Sequence, residues 1–156
     1  MNILSYRKAR NNLFPNTSKF NVPEISAFNF LRLFFSLLVK RGVISIKNDF
    51  AHYLYEFRHG EYSSEINRRV LSDIGFKSNG ISWYSSGISN ALYMLRTVGF
   101  LPNTVSGVEV DLITIRNKAD YTISQFSDEH VSALNSIIDC IEQKYPECLR
   151  KDGNDG

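Results

Sequence analysis

The hydrophobic positions of this chain recur mostly at three- and four-residue spacing, and polar punctuation separates the runs into helices. In residues 24–41, Ile25, Phe28, Leu31, Phe35 and Leu38 form one stripe, and Phe30, Leu33, Phe34 and Leu37 extend it round the helix. That predicts a helix buried on more than one side, opened by Pro23 and Glu24 and closed by Gly42. Val43 and Ile44 suit a very short strand. Ser45 then suits the cap of a second helix over 46–59, with Ile46, Phe50, Tyr53, Leu54 and Phe57 inside and Gly60 as the stop. A third helix is expected from Ser63 or Ser64, with Ile66, Val70 and Leu71 buried, to Gly75. Residues 76–83, FKSNGISW, read as a loop.

A fourth helix follows, capped by Ser85 or Ser86 and stopped at Gly99. Its expected inner stripe is Ile88, Ala91, Leu92, Leu95 and Val98, and its outer face Ser86, Ser89, Asn90, Tyr93 and Arg96. VEVDLITI alternates Val108, Val110 and Leu112 and is β-branched, so it reads as a strand; NKAD at 117–120 as a turn; and YTI as the returning strand of a hairpin over about 108–123. A last helix starts at Ser127 and carries Val131, Leu134, Ile137, Ile138 and Ile141. The expected organisation is a polar basic arm at 1–23, one domain over 24–144 and a flexible tail at 145–156. The fold class is mainly α with a small β-hairpin.

Composition sharpens this in two ways. A chain of 156 residues with 43% hydrophobic and 13% aromatic content supports a real core. Residues 1–100 hold 13 Lys/Arg against 6 Asp/Glu, whereas 101–156 hold 5 against 10, so the net charge of +2 conceals a basic part and an acidic part. Such asymmetry lets one face meet a polyanion. The longest apolar block, 27–39, is too short and too interrupted to cross a bilayer. The N-terminus has no apolar signal core, and Cys140 and Cys148 make neither a disulfide framework nor a zinc-type CxxC pair. A cytoplasmic, reduced protein without membrane contact is expected.

The order helix, short strand, three helices and hairpin resembles a winged helix-turn-helix domain over about residues 25–123. The likeness centres on SSGISNALYMLRTVGFL, which is similar to the recognition-helix pattern of winged repressors. The joint before that helix is about ten residues, where a helix-turn-helix has three or four. The resemblance implies a small non-enzymatic DNA-binding regulator seating this helix in a groove of double-stranded DNA. Ser86, Ser89, Asn90, Tyr93 and Arg96 would face the groove, Arg116 and Lys118 at the hairpin tip would meet phosphate, and Arg68, Arg69 and the arm residues Arg7, Lys8 and Arg10 would add charge. The same fold also serves protein binding. The alternative is therefore a protein-binding module, such as an antitoxin-like adaptor or a phage or mobile-element inhibitor of a host defence protein, with homodimer formation compatible with either.

Chemistry-bearing patterns are sparse. His52, Glu56 and His59 at i, i+4 and i+7 share a helix face and could chelate a metal, but a solvated face with Arg58 nearby is the preferred account, and neither metal nor cofactor is expected. Glu109 and Asp111 alternate on a strand without the E-x-K that a PD-ExK nuclease would add. No G-x-S-x-G, P-loop or G-x-G-x-x-G is present, so no catalytic residue is assigned. Met94, Trp83, Tyr84 and Tyr93 suit either a partner surface or a cap on the core.

Overall fold

A computed structural model describes residues 22–103 and 107–153. The apolar helix expected first becomes the axis of the molecule as α1, Ala27–Lys40. Ten of its 14 residues are buried, from Ala27 to Val39, with Phe30, Leu31, Phe34, Phe35 and Leu38 fully enclosed. Its start is fixed twice: Ser26 Oγ accepts from Asn29 N, and the Asp73 carboxylate accepts from Ala27 N at 2.7 Å. Ser36, the one buried polar residue of the helix, donates its hydroxyl to Arg32 O at 2.8 Å and so carries no unmet bond inward.

β1, Val43–Lys47, follows a turn in which Gly42 adopts φ +85°. The second helix, α2, Ala51–Arg58, starts five residues later than expected, because Ile46 is drawn into the sheet opposite Val110 and Leu149. Ser45 is accordingly no helix cap. It lies buried in β1, donates to Glu109 Oε2 at 2.9 Å and accepts from Arg150 Nε at 3.0 Å. α3, Glu65–Val70, is capped by Ser64 as expected, but it ends before Gly75. Residues 76–83 are not simply a loop: β2, Lys77–Ser78, and β3, Trp83–Tyr84, pair as an antiparallel hairpin. β3 leads through the cap Ser85 into α4, Ser86–Thr97, and Gly99 at φ +81° stops it.

The hairpin expected over 108–123 forms only its first strand, β4, Glu109–Asp111. Its partner is β1, and the chain then turns into a 3-10 helix, Ile113–Asn117, and α5, Ala119–Ser124. Leu112, Ile115, Ala119 and Thr122 are the buried positions, a three-and-four spacing that overrides the short alternation read from Val108 to Leu112. α6, Asp128–Lys144, is capped by Ser127 as expected. After α6 a 3-10 turn, Pro146–Cys148, leads to β5, Leu149–Lys151, on the other side of β1. The protein is thus mixed α/β, with six helices and a small antiparallel sheet of order β4-β1-β5 among the described residues. α4, α5, α6, the first 3-10 helix and β1 all pack on α1.

Arg41, at the C-cap of α1, bonds Asp139 at 2.6 Å and Glu142 at 2.5 Å on α6, and Lys151 of β5 bonds Glu142 at 2.5 Å. Burial opposes charge on Glu142, but Lys151 and Arg41 outweigh it and hold its carboxyl below the usual range. A lowered carboxyl pKa contributes stability above the unfolded value near 4.5 that is lost as pH falls through the folded one. Glu142→Gln should therefore flatten the acid limb of stability against pH, measured by urea unfolding from pH 6 to 3. Phe34, stacked on Phe30 and Phe50 at 5.5 and 6.2 Å, tests the axis itself. Phe34→Ala should cost about 3–5 kcal/mol in the same assay at neutral pH.

Candidate interaction surface

α4 buries one side and displays the other. Ile88, Ala91 and Leu95 face α1, and Leu92 is half-buried beside them. Val98, expected on the inner stripe, is instead 65% exposed, because the helix has already ended and the chain turns at Gly99. The outer face carries Ser86, Ser89, Asn90 and Tyr93 in the open, as expected, and Met94 with them. Arg96 is half-buried in the last turn, where its charge suits the helix C-terminus. Tyr93, Met94 and Val98 at 71, 50 and 65% exposure form an apolar row along the edge of a polar face.

The β2–β3 hairpin precedes this helix, with β3 running directly into the cap of α4. Its turn is built by Asn79, whose Oδ1 accepts from the backbone N–H of both Ile81 and Ser82 at 2.9 Å, and by Gly80 at φ +91°. That turn puts Ile81 at the tip, 91% exposed, with Tyr84 46% exposed at the base. Beneath, Trp83 stacks face to face on Tyr55 of α2 at 3.8 Å, and Phe76 meets the Tyr55 ring edge-on at 5.8 Å. Trp83 therefore packs inward, as its capping reading required, whereas Tyr93 and Tyr84 point outward.

Charge on this surface is one-sided. From Ile74 to Val108, 35 residues contain no Asp or Glu, in a chain that has 16; Lys77 and Arg96 are the only charged side chains there. Of the described cations expected to join them, only Lys118 reaches this stretch, at Gly99. Arg116 is on the 3-10 helix and bonds Asp152 at 2.6 Å. Lys118 donates to Gly99 O at 3.0 Å and lies 4.9 Å from the Phe100 ring, and burial lowers its pKa. Neither is at a hairpin tip. Arg68 and Arg69 are on α3, which packs against α2 and α6 rather than along α4, and Arg69 Nε is bonded to Val22 O. Arg7, Lys8 and Arg10 lie outside the described residues.

The three residues with metal-ligand spacing each have another role. His52 Nδ1 accepts from Trp83 N at 3.1 Å, Glu56 Oε2 accepts from Glu61 N at 3.0 Å, and His59 packs against Tyr55 and Phe76. Glu109 is bonded to Ser45 and Arg150, and Asp111 Oδ1 accepts from Ile113 N at 2.9 Å, starting the 3-10 helix. The hairpin and the exposure of Val98 are what sequence reasoning missed; Tyr93 and Met94 were already candidates for a partner surface. The Asn79–Gly80 pair between β-prone residues was the available signal for the first. No helix among the described residues is long and apolar enough to cross a membrane.

Compared with known proteins, the chain matches no family model, no curated protein and no solved structure.

If α4 presents a free face on a capped, packed helix, the two sides should respond differently to substitution. Ser85, buried at 4% exposure, accepts from Ile88 N at 3.2 Å; Ser85→Ala should lower stability by about 1 kcal/mol. Tyr93→Ser and Met94→Ser should stay within about 0.5 kcal/mol of the parent in thermal unfolding.

Proposed function

We propose that this chain is a non-enzymatic binding module that docks a protein through the outer face of α4 and the hairpin before it. The observation that carries this reading is the exposed apolar row Tyr93, Met94 and Val98 on α4; Ile81 and Tyr84 are likewise exposed on the hairpin that leads into that helix. Aromatic and methionine side chains are the types enriched at protein contact centres, and exposed alanine, lysine or glutamate would have sufficed for solubility. The 74–108 stretch carries Lys77 and Arg96 and no carboxylate, and Lys118 reaches its Gly99 carbonyl, which fits a partner with an apolar centre and an acidic rim. No catalytic role is assigned to any residue.

Binding of double-stranded DNA through the same winged-helix-like surface is the second reading, favoured by the run of 35 residues without a carboxylate. It is weaker because phosphate neutralisation supplies most DNA affinity, and each contacted phosphate calls for its own cation. Arg116, Lys118 and Arg69 are engaged within the chain.

A photo-crosslinking side chain at Val98 tests the proposal in extract of the source cell. It should join the chain to a discrete protein, and Met94→Glu should abolish the product while far-UV circular dichroism stays unchanged. Crosslinking that survives Met94→Glu would sink the protein reading. In parallel, duplex DNA is titrated from about 25 to 200 mM salt, where counterion release makes affinity fall steeply. Tight low-salt binding that collapses in Lys77→Ala with Arg96→Ala would establish the DNA reading instead.

A further inference from the structure

We infer that the β2–β3 hairpin is a proton-sensitive element, held on α2 by neutral His52 and released when that ring is protonated. The geometry starts in the hairpin ladder. Asn79 N–H donates to Ser82 O at 3.2 Å, so Asn79 and Ser82 are the bonded pair that closes the turn. In an antiparallel ladder the next pair, Ser78 opposite Trp83, is then the non-hydrogen-bonded kind, and its backbone groups point away from each other. The Trp83 N–H consequently has no acceptor within the hairpin. It finds one 31 residues earlier in the chain, at His52 Nδ1, 3.1 Å away.

That bond selects a protonation state. Nδ1 accepts only while it holds a lone pair, so the ring is neutral with its proton on Nε2; the imidazolium has N–H at both positions. Protonation turns the acceptor into a second donor facing Trp83 N–H. What remains is aromatic: Trp83 on Tyr55 at 3.8 Å and 6° between planes, and Phe76 against Tyr55 and His59. The hairpin is held while the ring is neutral and loosened once it takes a proton.

Other ionisable groups belong to the same neighbourhood. On α2 and the turn before it are Asp49, Tyr53, whose ring meets His52 edge-on at 5.5 Å, Tyr55, Glu56, Arg58 and His59. α3, packed on α2, and the turn leading into it bring Glu61, Tyr62, Glu65, Arg68 and Arg69, and the hairpin brings Lys77 and Tyr84. His59 is the second imidazole under the hairpin. Burial, then the charge of Arg58, keeps its pKa below the ordinary value. His59 packs only by its ring on the hairpin side, so the switch is assigned to His52.

Trp83 is the only tryptophan in the chain, so its emission reports this element alone. Between pH 8 and 5 the full-length protein should show a red shift, and the Trp83 amide should lose at least about fivefold in exchange protection, the loss of one hydrogen bond. His52→Asn, whose side-chain carbonyl accepts at every pH, should abolish the pH dependence of both signals. His59→Gln should retain it. A flat wild-type titration overturns the inference, as does a His52→Asn variant that titrates like the parent. An emission change with unchanged Trp83 protection also overturns it, because it reports quenching without release. That the switch would gate docking rests on the contact-face reading; the titration needs no partner, so either can fail without the other.

Discussion

Everything in this molecule is arranged around the need to enclose α1. A helix of 14 residues with ten buried cannot lie on a surface, and the elements that follow are placed by the side of it they cover. α4 and α5 pack along it, α6 and the first 3-10 helix cover further sides, and β1 carries the sheet against it. Each fully buried Phe or Leu contributes about 1.5–3 kcal/mol, so this one helix accounts for a large part of the hydrophobic driving force. Polar bonds then fix its position rather than its burial. Asp73 reaches back 46 residues to cap its start, and Arg41 ties its end to α6.

The contact face is a consequence of that arrangement. α4 satisfies α1 with a narrow stripe of Ile88, Ala91 and Leu95, which leaves most of its circumference outside. Nothing in the packing demands that Tyr93, Met94 and Val98 be apolar there. Elsewhere on the surface the chain uses ion pairs: Lys40 with Asp120, Arg116 with Asp152, Arg150 with Glu109. The contrast between those paired surfaces and a stretch of 35 residues with no carboxylate gives the face its character.

Long helical periodicities were legible in the sequence, and so were the caps. Ser64, Ser85 and Ser127 all start helices where their position before an apolar run placed them, and Gly99 stops α4. One group of misreadings comes from short segments whose pairing partner is remote. Residues 43–47 become a central strand only because β4 and β5, more than 60 and 100 residues later, flank them. No local pattern announces that Arg150 will bond Ser45, or that 149–151 will be a strand at all. After β4, a local helical spacing at Leu112, Ile115, Ala119 and Thr122 defeated an apparent hairpin. For the candidate surface, the exposure of Ser86, Ser89, Asn90 and Tyr93 followed from helix geometry. The internal partners of Arg116, Lys118 and Arg69 did not, since each depends on tertiary neighbours.

The hairpin is the element that depends most plainly on its neighbours. Two strands of two residues each cannot stand alone in water, so the β2–β3 unit is held by what it rests on. Its support is the Trp83–Tyr55 stack, the edge-on contacts of Phe76 with Tyr55 and His59, and one backbone bond to an imidazole, set on a helix of eight residues that itself lacks a side-chain cap. The same element exposes Ile81 and Tyr84. Exposure and dependence on neighbours thus coincide in one element, and the residue bonded to its backbone, His52, is of the one side-chain type whose charge changes near neutral pH.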